Sequence, residues 1–267
     1  MARQKGLVKY SGTMGGVRHF KIKGLVGDFA GLAGGPTDSQ IKNDAAFIRT
    51  RENMSEFGGS ASCAKTIRVG LAQVIRQFSD SRLTGRLTKI MKEINKEDTG
   101  SPRGQRSILV SLNPELLNGL NFDVNTSLAG IFNAPYTLTN TVGRDSATFT
   151  IPIFNPMNLI NAPAGATHFR LLNAITVVSD WKFDTGSGTY VPLEPTLSEL
   201  SDVQFSGYLD LSAPTALTTI TTTLPGSPTM TSDVSVLNCI GIEFYQQVGS
   251  NYYLFASDNA MRVDTVF

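Results

Sequence analysis

The residue types that most often carry enzyme chemistry are few and widely separated in this chain. The two histidines, His19 and His168, and the two cysteines, Cys63 and Cys239, lie in different parts of the sequence. General acid–base catalysis and metal binding need such groups near Asp, Glu or Cys partners, and the spacing supplies none. The sequence also lacks a phosphate-binding loop and a nucleophile elbow. We therefore expect a protein that is not an enzyme, with buried free thiols, no cofactor, no metal and no small-molecule substrate.

A short charged segment is the most distinctive local motif. Residues 47–58 read FIRTRENMSEFG, and a helix over them would present Arg49, Arg51 and Glu52 beside an apolar face. Such a pattern fits a partner-binding helix that uses forked Arg–carboxylate ion pairs. It equally fits an ordinary helix whose solvated charges pair four residues apart. The sequence leaves both interpretations open.

Charge is distributed very unevenly along the chain. Residues 1–107 contain 19 Lys and Arg against 9 Asp and Glu, whereas residues 108–267 contain 4 against 13. The formal net charge of +1 therefore conceals a basic first part and an acidic second part. This asymmetry predicts that the basic part meets either a polyanion or the acidic part of another copy.

The hydrophobic spacing of residues 44–98 is that of helices. We expect Asp44 to cap a first helix that ends at Gly58–Gly59, and Asp80 to cap the third. Either Ser60 or Ser62 is expected to cap the second. Two of these helices would have cationic outer faces that could bind nucleic-acid phosphates. The residues of this face are Arg68, Arg76, Arg82, Arg86, Lys89, Lys92 and Lys96.

Glycine-rich sequence precedes the helices. Residues 7–10 and 17–23 are β-type runs on either side of a turn, which predicts a hairpin or a pair of edge strands. Residues 24–36, GLVGDFAGLAGGP, are apolar and have neither a helical nor a strand period. We expect them to form an extended arm or loop whose apolar side chains need cover.

Beyond a Gly- and Pro-containing linker at 99–106, the hydrophobic period changes to two. Short strands punctuated by Pro and Gly, without intervening helices, predict an antiparallel β-sandwich. The expected strands are 108–112, 136–141, 146–153, 167–178, 188–193, 204–211, 216–224, 234–247 and 251–256. The predicted fold class is α+β: a basic module over 1–106 with a hairpin, the arm and three helices, followed by an acidic β-sandwich over 107–267.

No segment of the sequence is suited to cross or enter a membrane. No apolar run reaches about 18 residues, and the basic N-terminus lacks the continuous apolar core of a secretory signal. We expect synthesis in the cytoplasm, and the final location stays open. It could be cytoplasmic, or extracellular after lysis or export by another route.

Three segments resemble a family of uncharacterised proteins from Bacteroidetes-type bacterial genomes. They are ARQKG at 2–6, the motif FxRTREN with EFG at 47–58, and PAGATHF at 163–169. The resemblance covers most of the chain and implies a bacterial protein without a secretory signal peptide. It implies no activity and no functional residue.

From these features we expect a non-enzymatic structural subunit that assembles head to tail with copies of itself into a filament, tube or shell. The basic N-terminal residues and the arm would dock on the acidic β-domain of the next copy. The expected interface residues are Arg3, Lys5, Lys9, Arg18, Lys21, Lys23, Leu25, Val26, Phe29, Leu32, Arg49, Arg51, Glu52, Asp180, Asp184, Glu194, Glu199 and Asp202.

Two alternatives stay open beside this hypothesis. One is a nucleic-acid-associated coat or packaging protein that binds phosphates through the cationic helices. The other is a carbohydrate- or surface-binding β-sandwich, in which exposed aromatic rings would stack on sugars. The candidate rings are Tyr190, Tyr208, Tyr245, Tyr252, Tyr253 and Trp181.

Overall fold

The computed structural model describes residues 2–32 and 34–267, so Met1 and Ala33, which belongs to the predicted arm, lie outside the described residues. The chain divides into two compact units, residues 1–51 and 52–267. The boundary that we expected at 106/107 therefore falls inside the second unit. The reason is that apolar residues of the helices share one core with the large β-sheet.

The first unit is a small antiparallel sheet followed by one short helix. Its strands lie in the order β1-β4-β3-β2, so β1 and β2 form the edges. The bounds are β1 (Ala2–Arg3), β2 (Gly12–Met14), β3 (Val17–Phe20), β4 (Phe29–Leu32) and α1 (Asp38–Asn43). A capping box between Thr37 and Gln40 starts α1, which the sequence analysis did not predict.

The predicted hairpin and arm both differ in detail from the structure. The hairpin pairs β2 with β3, and residues 7–10 are not a strand. Its turn is Gly15–Gly16, with φ of 56° and 76°, the left-handed values that a two-residue hairpin turn favours. The arm prediction is wrong for β4, which pairs with both β1 and β3. Four residues, two of them small, give too little alternation to reveal a strand.

The longest helix of the chain crosses the boundary between residues 51 and 52, and the helices that follow it belong to the second unit. The helices are α2 (Ile48–Gly70), α3 (Ile75–Phe78), α4 (Leu83–Glu97), α5 (Leu128–Ile131) and α6 (Pro156–Leu159). Short 3-10 turns occupy Ala45–Phe47, Val110–Leu112 and Pro114–Leu116. Asp44 acts as the expected cap, since its carboxylate accepts from Ala46 N. The cap prediction for Asp80 is wrong: α4 begins after Arg82 without a side-chain cap, and Asp80 accepts from Arg82 N in the turn before the helix.

The prediction that a helix ends at Gly58–Gly59 is wrong, because α2 continues through both residues. Gly59 is buried against the ring of Tyr190, and a Cβ there would lie 2.4 Å from that ring. Glycine at this position permits close packing and does not end the helix. Ser60, expected to cap a second helix, instead donates from Oγ to the carbonyl O of Glu56 within α2.

The strands of the second unit form three antiparallel sheets. The strands are β5 (Thr137–Asn140), β6 (Ser146–Ile151), β7 (His168–Ser179), β8 (Trp181–Asp184), β9 (Thr189–Pro192), β10 (Ser201–Phe205), β11 (Leu209–Asp210), β12 (Thr218–Thr223), β13 (Val234–Val248), β14 (Asn251–Leu254) and β15 (Ala260–Val266). In the six-stranded sheet β7 pairs with β13, β10 and β11 flank β7, and β14 and β15 flank β13. The other sheets are β12-β6-β5 and β8-β9.

Side chains of the large sheet alternate between two cores. Leu172 and Ala174 of β7 pack in the cluster that contains α2 and α4, whereas Phe169 and Leu171 pack in the cluster that contains β6 and β12. The second unit is thus layered as helices, large sheet and small sheet. This arrangement confirms the predicted α+β class with antiparallel, sandwich-like sheets.

The expected linker 99–106 is anchored to the rest of the second unit. Gly104 N donates to Glu56 Oε1 at 2.8 Å, and the Tyr190 hydroxyl donates to the carbonyl O of Arg106 at 2.9 Å. At its end, Ser107 N donates to Asp98 Oδ2 at 2.7 Å. These bonds explain why the helices and the sheets belong to one unit.

The two adjacent glycines of α2 yield a matched test of this packing. We expect Gly58→Ala to raise the free energy of unfolding by about 0.5–1 kcal/mol, because the position has open space and alanine favours a helix. Gly59→Ala should lower it by about 1–3 kcal/mol through overpacking against Tyr190. Urea denaturation measures both values. Equal effects of the two substitutions would contradict the close contact between α2 and Tyr190.

Candidate assembly interface

The first unit has no core of its own. None of its described residues, 2–32 and 34–51, is buried. The clearest apolar contact within its sheet is the cross-strand pair Phe20 and Phe29, whose ring centroids lie 6.3 Å apart. A sheet normally needs a covered hydrophobic face for stability. This unit therefore has a backbone framework without the burial that usually stabilises one.

Large apolar side chains of the first unit are exposed instead. Leu7 is fully exposed, and Val26 and Leu32 are exposed by 89% and 84%. The complete set in this unit is Leu7, Val8, Tyr10, Met14, Leu25, Val26, Leu32 and Ile48. Single exposed apolar residues are common, but a concentration of them on a unit without a core is typical of an interaction surface.

Most of the predicted basic residues lie on the surface of this same unit. The exposed residues of the predicted basic set are Arg3, Lys5, Lys9, Arg18, Lys21, Lys23 and Arg49. Asp28 lies between two of them, 3.6 Å from Lys9 Nζ and 3.8 Å from Lys21 Nζ. Residues 1–51 contain nine Lys and Arg against three Asp and Glu. The carboxylate of Asp28 therefore offsets only part of the positive charge around it. Of the predicted apolar residues, Leu25, Val26 and Leu32 are exposed and Phe29 is half-buried.

The charged motif at the start of α2 is largely structural. Arg51 donates to the carbonyl O of Ile41 and of Asp44, both at 2.8 Å, and so supports the turn before α2. Glu52 Oε2 lies 3.6 Å from Arg103 Nε. These contacts favour the ordinary-helix interpretation for Arg51 and Glu52, which the sequence analysis left open.

Glu56 is the residue of this motif that sequence reasoning missed. It is 3% exposed, forms an ion pair with Lys92 and accepts from Gly104 N, with Arg106 Nε 3.9 Å away. Burial alone would raise the pKa of its carboxyl, but the hydrogen bonds and the two positive charges more than offset it, so the pKa lies below its usual range. Glu56 precedes Gly59 by three residues and Ser60 by four, so the three share one face of α2, and this spacing was the sequence signal of burial.

The predicted acidic partners are not all available to another molecule. Asp184 accepts from Gly186 N and Ser187 N in the β8–β9 turn, and Asp202 accepts from Thr223 N at 2.9 Å. Glu194 is half-buried, whereas Glu199 is exposed. These four therefore remain at or near the surface, although Asp184 also holds its own turn and Asp202 also binds the backbone of β12.

The prediction that Asp180 belongs to the interface is wrong, because this residue is buried. It is 2% exposed and accepts from both the backbone N and the Oγ of Ser111. Burial raises the pKa of its carboxyl, although the hydrogen bonds from Ser111 oppose the shift. The sequence pattern could not show this because Asp180 directly follows a long strand and resembles a solvated turn residue.

The second unit has an apolar pocket with one acidic residue at its rim. Its volume is about 540 Å³, and Met157 at its edge is 71% exposed. The pocket residues are Pro156, Met157, Ile160, Ala162, Ala166, Thr167, His168, Asp210, Leu211 and Ser212. No Lys or Arg lines it. Its size and lining suit an apolar side chain that arrives beside a positive charge.

The cationic helix face is only partly free for nucleic acid. Arg86 donates to Asp80 at 2.9 Å and to the carbonyl O of Phe122 at 2.7 Å, and Lys92 is paired with the buried Glu56. Arg68 is half-buried. Arg76, Arg82, Lys89 and Lys96 are the exposed members of the predicted set.

The aromatic residues that could stack on sugars do not form one surface. Tyr208 stacks on Tyr252 at 3.9 Å and meets Tyr245 edge-on at 4.9 Å. These rings lie against each other, and Trp181 and Tyr190 pack in or against the helix-facing core. Tyr253 is 56% exposed. The predicted aromatic residues therefore do not form one flat surface of exposed ring faces on which a sugar could stack.

The histidines and cysteines lie in separate environments. His168 Nδ1 is 3.0 Å from Thr167 Oγ1, and His19 belongs to the first unit. Both thiols are buried, which raises the pKa of Cys63 and of Cys239. Within the described residues, no cluster of three His, Cys, Asp or Glu could hold a metal ion. Nor does any helix in the described part of the chain have the length and apolar character to cross a membrane.

Comparison with known proteins gives no match: no family model fits the chain, and neither a curated protein nor a solved structure is significantly similar to it.

The buried Glu56 network predicts a pH-dependent loss of stability. Glu56→Gln should lower the free energy of unfolding at pH 7 by about 3–5 kcal/mol, because Lys92 then lacks its buried counter-ion. Since the folded-state pKa is lowered, the carboxylate stabilises the fold above its ordinary pKa of 4.5, and that stability disappears as pH falls through the folded value. Urea titrations at several pH values should therefore show the difference from wild type shrinking below pH 4.5. The exposed Glu97→Gln is the control, and a pH-independent loss for Glu56→Gln would contradict the assignment.

Proposed function

We propose that this chain is a non-enzymatic structural subunit that assembles head to tail with copies of itself. The observation that carries the proposal is the first unit, whose strands have no buried residue and whose large apolar side chains are exposed. Covering such side chains gains roughly 25 cal/mol per Å² of apolar surface. A partner molecule can supply the burial that the unit lacks.

The distribution of charge supports a second copy as that partner. Residues 1–51 have a formal charge of +6, from nine basic and three acidic residues. Residues 52–267 have a charge of −5, from 14 basic and 19 acidic residues. A basic unit is therefore complementary to the remainder of an identical chain, and this complementarity favours encounter between copies.

The apolar pocket around Met157 and Ala166 is the receiving surface that fits best. It combines an apolar lining with Asp210, so it can accept an exposed Leu or Val of the first unit beside a Lys or Arg. A second apolar groove of about 590 Å³ runs between α2 and α4 beside Phe57. That groove is lined by three lysines against one acidic residue, Glu93, so its net positive charge disfavours the basic unit of another copy.

Contact between two different surfaces determines which kinds of assembly can form. The donating surface is in the first unit and the receiving surface is in the second, so the contact is heterologous. Heterologous contacts form closed rings or open filaments, depending on the rotation between neighbours. The open edges β1 and β2 of the first sheet can add strand pairing to this contact.

The proposal is tested by the mass and shape of the full-length protein in solution. Purified protein, stripped of nucleic acid, is followed by light scattering and negative-stain microscopy at about 50 mM and about 500 mM salt. We expect ordered multimers, which the triple variant Leu7→Asp, Val26→Asp, Leu32→Asp converts to monomers. Ala166→Trp, which fills the pocket, should weaken assembly at least about tenfold, equal to about 1.4 kcal/mol.

The matched control places the same charge on an exposed apolar residue of the second unit. Val142 is fully exposed and outside the pocket, so Val142→Asp should leave assembly unchanged. A wild-type protein that stays monomeric at all concentrations would sink the proposal. So would multimers that require added nucleic acid and dissolve steeply with salt, since that result supports the packaging alternative.

A further inference from the structure

A small polar cavity lies at one end of the large sheet, under the chain segment that joins α2 to α4. Its volume is about 210 Å³, below the range of about 300–1,000 Å³ typical of drug-sized ligand sites. The lining residues are Gln73, Val74, Gln77, Arg170, Phe205, Glu243 and Tyr245. The two core clusters do not include its charged members, so packing alone does not account for them.

Glu243 brings a buried negative charge to this cavity. The residue is 1% exposed, and its Oε2 accepts from the Tyr245 hydroxyl at 2.7 Å. Among the described residues, Oε1 has no hydrogen-bond partner, and no Lys, Arg or His nitrogen lies within the 4.0 Å ion-pair distance of this carboxylate. Burial raises the pKa of Glu243, and the hydrogen bond from Tyr245 and the charge of Arg170 oppose that rise only in part. Oε1 itself is not sealed from solvent, so a donor that enters the cavity can reach it.

Arg170 brings a positive charge to the same cavity. Its guanidinium carbon lies 4.1 Å from the centroid of the Phe205 ring and 5.3 Å from that of Tyr208. Its Nε donates to the carbonyl O of Ser206 at 3.3 Å. These contacts hold the guanidinium plane in place while the residue lines the cavity. Arginine in a fixed orientation is well suited to bind a carboxylate.

Two amides stand at the helical side of the cavity. Gln73 and Gln77 are both exposed, and the structure gives neither side chain a hydrogen bond within the described part of the chain. Each amide can donate and accept. Together with Glu243 Oε1 and Arg170, they leave both donors and acceptors unused around one small volume.

We propose that this cavity binds a small zwitterionic amino acid, with its ammonium group on Glu243 and its carboxylate on Arg170. A lone anion would face Glu243, and a lone cation would face Arg170, so either is opposed by a like charge in the cavity. A molecule with both charges satisfies both residues and leaves the local charge balanced. The amides of Gln73 and Gln77 hydrogen-bond the rest of the ligand. This site is independent of the proposed assembly surfaces, which involve other residues.

The experiment titrates full-length protein with glycine, L-alanine and L-serine by calorimetry. Acetate and methylamine, which carry only one of the two charges, are the matched ligands. We expect saturable binding of at least one amino acid, and at least about tenfold weaker binding of acetate and methylamine, since each lacks one charge-assisted contact.

Two variants locate the site. Glu243→Gln keeps the shape of the side chain and should weaken amino-acid binding at least about tenfold. Gln73→Trp changes an exposed residue and should block the cavity without disturbing the core, so it keeps the test informative if Glu243→Gln folds poorly. The exposed Glu115→Gln is the control and should bind like wild type.

Three results would overturn the proposal. The first is no saturable binding of any of the three amino acids. The second is binding that both Glu243→Gln and Gln73→Trp leave unchanged. The third is equally tight binding of acetate or of methylamine, which would show that one charge is sufficient.

Discussion

Apolar side chains that their own unit cannot bury are the constraint on which the proposed function depends. Residues 2–32 and 34–51 include four hydrogen-bonded strands, yet none of these residues is buried. Backbone hydrogen bonds alone contribute little net stability, because the unfolded chain makes equivalent bonds with water. A unit built this way is stabilised when another surface covers it. In the proposed assembly its positive charge favours contact with the remainder of an identical chain, whose formal charge is −5.

The second unit uses its charges differently. Many of its basic residues, which the sequence suggests are available to a polyanion, neutralise or cap groups inside the fold. Lys92 pairs with the buried Glu56, and Arg86 binds Asp80 and a loop carbonyl. The charge asymmetry of the chain is therefore partly a requirement of folding. In the first unit, by contrast, most of the basic residues are exposed, and Asp28 lies between two of them, Lys9 and Lys21.

Periodicity predicted the two central strands of the large sheet well, because their faces are buried against two different layers. It missed β15, and the expected strand 204–211 instead covers the end of β10 and all of β11. The strands β7 and β13 are close to their expected bounds, and so are β5, β9, β12 and β14. Sequence reasoning failed where glycine serves packing. Gly59 resembles a helix stop, yet it makes room for the ring of Tyr190 more than a hundred residues later in the chain. A contact of that separation leaves no local signal.

Prediction of the candidate sites was limited in the same way, by contacts between residues that are distant in the sequence. The exposed basic and apolar residues of the first unit could be predicted, since solvated charges and glycine-rich segments are local properties. The burial of Asp180 and Glu56 could not, because each is buried by partners distant in sequence, Ser111 and Lys92. The placement of Arg170 and Glu243 at one cavity depends on the β7–β13 register, in which these two residues lie opposite each other. No spacing in the sequence reveals that register.

Hydrogen exchange of the full-length protein, measured by mass spectrometry in dilute and concentrated solution, tests the proposed role of the first unit most directly. Amides of residues 2–32 should exchange rapidly when the protein is dilute and become protected when copies assemble. Amides of β7 and β13, which lie in the core of the second unit, should be protected equally in both solutions. Strong protection of residues 2–32 in dilute monomer would contradict the claim that this unit depends on a neighbouring copy.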